Sequence, residues 1–113
     1  MIRIENRRAY KGGGDYVGRA VPRSGIKKGS PLGSPFKLKN QVDDHERKAL
    51  IARYAIWLNE QLTDPHSPQS LEMERLCKLY RVSGELTLIC WCAPKACHAE
   101  VIRAKILERM GKS

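Results

Sequence analysis

Three of the chain's four cysteines lie in one short segment, at Cys90, Cys92 and Cys97, and His98 follows directly. Cysteine thiolate and neutral imidazole are the ligands that zinc prefers, so these four residues are candidate metal ligands. Alternate residues of a strand point to the same side, which would aim the sulfurs of Cys90 and Cys92 at one point. The single residue between that pair differs from the common zinc spacings, and it disfavours a closed tetrahedral site.

The same side chains also fit two uses that need no metal. A thiolate at the start of a helix is stabilised by the helix dipole, so Cys97 is a candidate reactive or ligand-binding thiol. Cysteine is also among the most buried residue types, and a central strand would accept Cys90 as simple packing. The cysteine cluster is therefore interpreted in three ways: a zinc site, a reactive or ligand-binding thiol cluster, or part of the core.

The elements around the cluster place it at one edge of a sheet. The segment 85–92 is apolar on both faces, which predicts a central strand covered on both sides. A helical pattern begins near Ala96, with Ala99, Ile102, Ile106 and Met110 on one stripe. Open α/β sheets bind their ligands where the strands end and the helices begin, so this edge is the expected site.

The remaining elements follow from periodicity and from residues that begin or end helices. Residues 1–8 and 16–19 predict short strands, and residues 20–40 predict a long loop. A helix is expected from Asp43 or Asp44 to about Leu62, and a second from Ser67-Pro68 to Gly84, with Cys77 on its buried face. The order of elements predicts an α/β fold, a compact single domain over residues 1–113 in which three or four helices pack on a small, mostly parallel sheet. Its N-terminal third (1–40) is loop-rich, and a helix-helix-strand-helix core occupies 43–110.

Positive charge is concentrated in the first 40 residues, which hold ten Lys or Arg and two Asp or Glu, in a chain of 113 residues with net charge +9. Such a segment attracts phosphates, and Lys27, Lys28, Lys37 and Lys39 are the candidate contacts to nucleic acid. No apolar run is long enough to span a membrane and residues 1–8 do not look like a signal peptide. We therefore expect a cytoplasmic protein without a membrane partner, in which disulfides are less expected than free or metal-bound thiols.

Several of these motifs together resemble a family of domains of unknown function found in tailed bacteriophages and in bacteria. The resemblance covers about residues 16–107. It rests on Tyr16-Val17-Gly18-Arg19, on the turn 30–36, on Tyr54 with Trp57-Leu58, and on Gly84 followed by the ending Cys90-Trp91-Cys92-Ala93-Pro94 with Cys97-His98. Ser34 stands where the family usually has Asn, and it keeps a hydroxyl donor and acceptor. The resemblance implies that the protein is located in the host cytoplasm if it is phage-encoded. It does not imply a particular reaction.

Two classes of function are consistent with these observations, and a regulatory thiol protein is a third. The first is a small enzyme or binding domain for a nucleotide-like anion, with ligand-binding residues Gly18, Arg19, Gly33, Ser34, Cys92, Cys97 and His98, in which Arg19 offers a forked donor to phosphate. The second is a non-catalytic accessory protein that binds nucleic acid or a host protein through residues 1–40. No paired-carboxylate, nucleophile-elbow or HExxH pattern is present, so whether the chain is an enzyme stays open.

Overall fold

A computed structural model of the chain describes residues 1–19, 29–36, 43–91 and 97–111. Its elements in chain order are strand β1 (Ile2–Asn6), strand β2 (Asp15–Tyr16), helix α1 (Asp44–Leu62), helix α2 (Pro68–Ser83), strand β3 (Leu86–Cys90) and helix α3 (His98–Arg109). None of the helices in these ranges is both long enough and apolar enough to cross a membrane.

The three strands form one parallel sheet in the order β1-β3-β2. Ile2 of β1 lies opposite Leu86, Asn6 lies opposite Cys90, and Tyr16 of β2 lies opposite Ile89. The central position of β3 explains why its sequence is apolar on both faces, since neighbouring strands and helices leave little of it exposed. The predicted α/β class, the parallel sheet and the central strand are confirmed.

Helices α1 and α2 begin and end where local sequence signals predict. The Asp43 carboxylate accepts a hydrogen bond from the Glu46 N–H at 3.0 Å, and the Ser67 hydroxyl accepts one from the Ser70 N–H at 3.0 Å. Pro68 occupies the first turn of α2, where its missing N–H is not needed. Gly84 ends α2 with φ of 74°, a left-handed conformation that costs glycine little.

The core lies between the sheet and the helices. Helices α2 and α3 pack on β3, α3 also contacts β1, and α1 packs on α2 and α3. Cys77 is buried on α2 and Trp57 is partly buried against the core, as expected. The largest fully buried side chains are Tyr54, Leu32, Leu58, Met73, Leu76, Leu88, Ile102, Ile106, Val17 and Cys90.

Several predicted boundaries differ from the structure. β1 ends at Asn6 and not at Arg8, and β2 ends at Tyr16 and not at Arg19, where the Tyr16 hydroxyl donates to the Arg19 carbonyl within a turn. β3 ends at Cys90, and Trp91 leaves the strand with its carbonyl held by the Asn6 amide at 3.0 Å. The last helix begins at His98, two residues later than predicted, since Cys97 is its N-cap.

Candidate functional site

Three arginines follow the carboxyl ends of the two outer strands. Arg7 and Arg8 come directly after β1, Arg19 follows β2, and the side chains of all three are exposed. The guanidinium of Arg8 lies 5.7 Å from the ring centre of Trp91, the residue that follows β3. We call the surface formed by Arg7, Arg8, Tyr16, Arg19 and Trp91 the strand-end surface.

The aromatic pair Tyr16 and Trp91 holds this surface together. The indole N–H of Trp91 donates to the Tyr16 hydroxyl at 2.8 Å, and that hydroxyl donates to the Arg19 carbonyl at 2.6 Å. Burial raises the pKa of Tyr16, whereas the Trp91 hydrogen bond and the positive charges of Arg19 and Arg7 oppose the increase. Tyr16 thus links Trp91, which follows β3, to the backbone of Arg19, which follows β2.

His98 is the first residue of α3, and it lies near Arg19. Its Nε2–H donates to the Val17 carbonyl at 2.7 Å, which makes Nδ1 the lone-pair nitrogen of the neutral ring. Burial lowers the pKa of His98, the bond to Val17 opposes that, and the nearby charge of Arg19 lowers it further. The ring meets Tyr54 edge-on, with 5.1 Å between ring centres. His98 is therefore a neutral residue that joins α3 to the segment after β2.

The turn at residues 30–36 packs directly against the segment that carries Arg19. The Ser30 N–H donates to the Gly18 carbonyl at 2.8 Å. A Cβ on Gly33 would stand 3.0 Å from the Gly18 carbonyl carbon and 3.1 Å from Cγ of Arg19, so a larger residue would need these neighbours to move by a few tenths of an ångström. Leu32 is fully buried, and its carbonyl accepts the Tyr54 hydroxyl at 2.6 Å. The hydroxyl of Ser34 bonds the backbone of Phe36 within the same turn.

The cysteine cluster is partly described. The sulfurs of Cys90 and Cys97 are 3.1 Å apart and both side chains are buried. Cys97 caps α3: its sulfur accepts the Ala99 N–H at 3.4 Å, and the Glu100 carboxylate accepts the Cys97 N–H at 3.0 Å. Among the described residues no three His, Cys, Asp or Glu side chains could hold a metal ion, so Cys90, Cys97 and His98 do not form a ligand set by themselves. A zinc site that includes Cys92 stays a prediction, because Cys92 lies outside the described residues.

The structure thus brings together Gly18, Arg19, Gly33 and His98, which the sequence predicted as one site. Ser34 belongs to the same turn, and Cys97 lies beside His98. The start of α3 offers fewer free N–H groups than expected, since Cys97 and Glu100 form its cap. The predicted nucleic-acid contacts Lys27, Lys28, Lys37 and Lys39 lie outside the described residues.

Five residues at or beneath this edge were not among the predicted site residues, namely Arg7, Arg8, Tyr16, Trp91 and Tyr54. Tyr16, Tyr54 and Trp91 belonged to the family resemblance but were given no role at the site. A buried tyrosine usually finds a hydrogen-bond partner for its hydroxyl, which was a signal for Tyr54. The arginines carried a usable signal, since Arg7 and Arg8 are the last residues of one predicted strand and Arg19 is the last residue of another. Parallel strands would have placed them at one edge.

The lowered pKa of His98 predicts that stability falls as the solution becomes acidic. Because protonation is harder in the folded chain, the unfolded chain takes up the proton first as the pH drops through about 6.5, the ordinary value for histidine. The free energy of unfolding should therefore be highest above this pH and decrease below it. Urea unfolding between pH 7.5 and about 5.5 measures the slope, which His98→Gln should reduce.

The matched control is His66→Gln, because the His66 side chain is 91% exposed. That variant should keep the slope of the parent chain. Equal slopes for the parent and for His98→Gln would contradict the assignment of this pH dependence to His98.

Comparison with known proteins gives one match. The family described as domain of unknown function DUF4326 matches residues 3–108. The chain belongs to this family. The match includes all three strands apart from Ile2, and it includes the whole strand-end surface. No curated protein and no solved structure shows significant similarity to the chain. Membership in DUF4326 therefore confirms the family resemblance, while the family description states no activity.

Proposed function

We propose that this domain binds a nucleotide-like, phosphate-bearing ligand at the strand-end surface. The observation that carries the proposal is the placement of the exposed residues Arg7, Arg8 and Arg19 after the carboxyl ends of β1 and β2, in a sheet whose strands are parallel. Ligands of open α/β sheets bind at this end, and arginine is the side chain best suited to bidentate contact with phosphate.

Arg19 is the residue best placed to contact the phosphate. Its side chain is exposed, and its carbonyl, not its guanidinium, makes the contact with Tyr16 that closes the turn. Gly33 lies against Cγ of Arg19, and the charge of Arg19 lowers the pKa of His98. The Arg19 backbone is thus held by Tyr16 and lies against the turn at residues 30–36, and its exposed side chain starts from this fixed point, which is the arrangement that favours pre-organised binding.

Trp91 supports a ligand with a planar base. The ring is partly buried, its N–H is fixed by Tyr16 and its carbonyl is fixed by Asn6. The guanidinium of Arg8 already lies near the ring, a position in which a base could stack instead. Phosphate-binding arginines beside a fixed indole favour a nucleotide over a bare anion.

The proposal is tested by calorimetric titration with adenosine, guanosine, cytidine and uridine diphosphates. Arg19→Ala should weaken the binding of the preferred nucleotide by about 10- to 100-fold, because charge-assisted hydrogen bonds contribute about 1.5–3 kcal/mol. Arg19→Lys should fall between this variant and the parent chain, since lysine keeps the charge but loses the fork. Unchanged thermal unfolding would show that both variants fold.

The matched control is Arg81→Ala, which removes an exposed arginine at the end of α2, beside the amino end of β3. This variant should bind like the parent chain. The proposal is wrong if none of the four diphosphates binds, or if Arg19→Ala binds as tightly as Arg81→Ala.

A second candidate is supported by the uneven charge, since the first 40 residues hold ten Lys or Arg and two Asp or Glu. In that case the chain binds nucleic acid or a host protein through this segment, with Lys27, Lys28, Lys37 and Lys39 as contacts. The test is the affinity of the chain for single-stranded DNA or RNA. An affinity that falls steeply with salt, and that depends on these lysines but not on Arg19, would favour the second candidate.

A further inference from the structure

The sulfurs of Cys90 and Cys97 are in direct contact inside the protein. The distance of 3.1 Å joins the last residue of the central strand to the N-cap of α3, and the two residues are 0% and 3% exposed. A disulfide bond is about 2.05 Å long, so the sulfurs need to approach by only about 1 Å.

This distance is too short for two thiolates that share a tetrahedral zinc ion. With zinc–sulfur bonds of about 2.3 Å, two such sulfurs stand about 3.8 Å apart. Two buried thiols at this separation are better suited to form a bond with each other than to bind a common metal.

We propose that Cys90 and Cys97 are a reversible oxidation site, a dithiol that a peroxide converts to a disulfide. One thiol loses its proton and its thiolate attacks the peroxide O–O bond, which gives a sulfenic acid and releases hydroxide. The second thiol then attacks the sulfenic sulfur, the S–S bond forms and water leaves. Two electrons pass from the two sulfurs to hydrogen peroxide, which ends as two water molecules.

The bond would join the central strand covalently to α3 beside the strand-end surface. Cys97 precedes His98, whose ring holds the Val17 carbonyl at 2.7 Å. The inference does not depend on nucleotide binding, because it rests on the sulfur contact alone. Both elements are rigid parts of the fold, so the contact is held by the packing of β3 against α3.

Peptide mapping after peroxide treatment tests the pair. Trypsin separates the two cysteines, because it cleaves after Lys95 and yields peptides 82–95 and 96–103. The oxidised chain should lose two hydrogen atoms in its intact mass, and its digest should contain these two peptides joined. Dithiothreitol should restore the separate peptides and the original mass.

One variant, Cys92→Ser, decides which cysteine of the first peptide takes part, and a second, Cys97→Ser, removes the one cysteine of peptide 96–103 and is the negative control. Cys92→Ser should form the joined peptides as the parent chain does. Cys97→Ser should not form them, and its fold should persist because serine is a favoured N-cap. Loss of the joined peptides in Cys92→Ser, their absence from the oxidised parent chain, or one equivalent of tightly bound zinc would each overturn the proposal.

Discussion

Replacing Tyr54 with alanine is expected to lower the free energy of unfolding by about 3–5 kcal/mol, the usual cost of removing a large buried aromatic side chain. The Tyr54 ring is fully buried, it contacts the rings of Trp57 and His98, and its hydroxyl donates to the Leu32 carbonyl at 2.6 Å. One side chain therefore joins α1 to α3 and to the turn at residues 30–36. Chemical denaturation followed by circular dichroism measures the loss.

Tyr54→Phe separates the hydrogen bond from the packing. The ring stays, but the buried Leu32 carbonyl loses its donor, so we expect a smaller loss of about 1–3 kcal/mol. Ile56→Ala on the same helix is the control, because Ile56 is 62% exposed and its removal should change stability by no more than about 0.5 kcal/mol. A Tyr54→Phe variant as stable as the parent would show that the bond to Leu32 contributes nothing.

Replacing Leu32 with alanine should cost about 2–5 kcal/mol, although Leu32 lies in a turn and not in a helix or strand. Its side chain is fully buried, and it anchors the turn whose Gly33 packs against Gly18 and Arg19. The same denaturation experiment measures the loss. Hydrogen exchange should also speed up at the Gly33 N–H, which bonds the Ser30 carbonyl at 2.9 Å.

Leu71→Ala is the matched control for this second prediction, since it makes the same substitution on α2 at a position that is 55% exposed. It should change stability by no more than about 0.5 kcal/mol. Equal losses at Leu32 and Leu71 would mean that the turn is not anchored in the core, and the close approach of Gly33 to Arg19 would then lack its support.

Local sequence signals predicted most of the elements. Ser67-Pro68 and Gly84 mark the two ends of α2. These signals can be recognised in the sequence because an N-cap hydroxyl and a left-handed glycine act on backbone groups only a few residues away. The apolar character of both faces of 85–92 likewise predicted the central strand, observed over Leu86–Cys90, since only a strand covered on both sides gains from it. The predictions that rest on Lys27, Lys28, Lys37, Lys39 and Cys92 lie outside the described residues.

The sequence by itself therefore determined the helices, the central strand and the edge of the sheet where Arg19, Gly33 and His98 meet. Only the tertiary structure decided what those residues touch. The bond from Trp91 to Tyr16 spans 75 residues and the bond from His98 to Val17 spans 81, so no local pattern encodes either partner. The contact between the sulfurs of Cys90 and Cys97 depends in the same way on how α3 packs against β3, because seven residues of chain permit many separations.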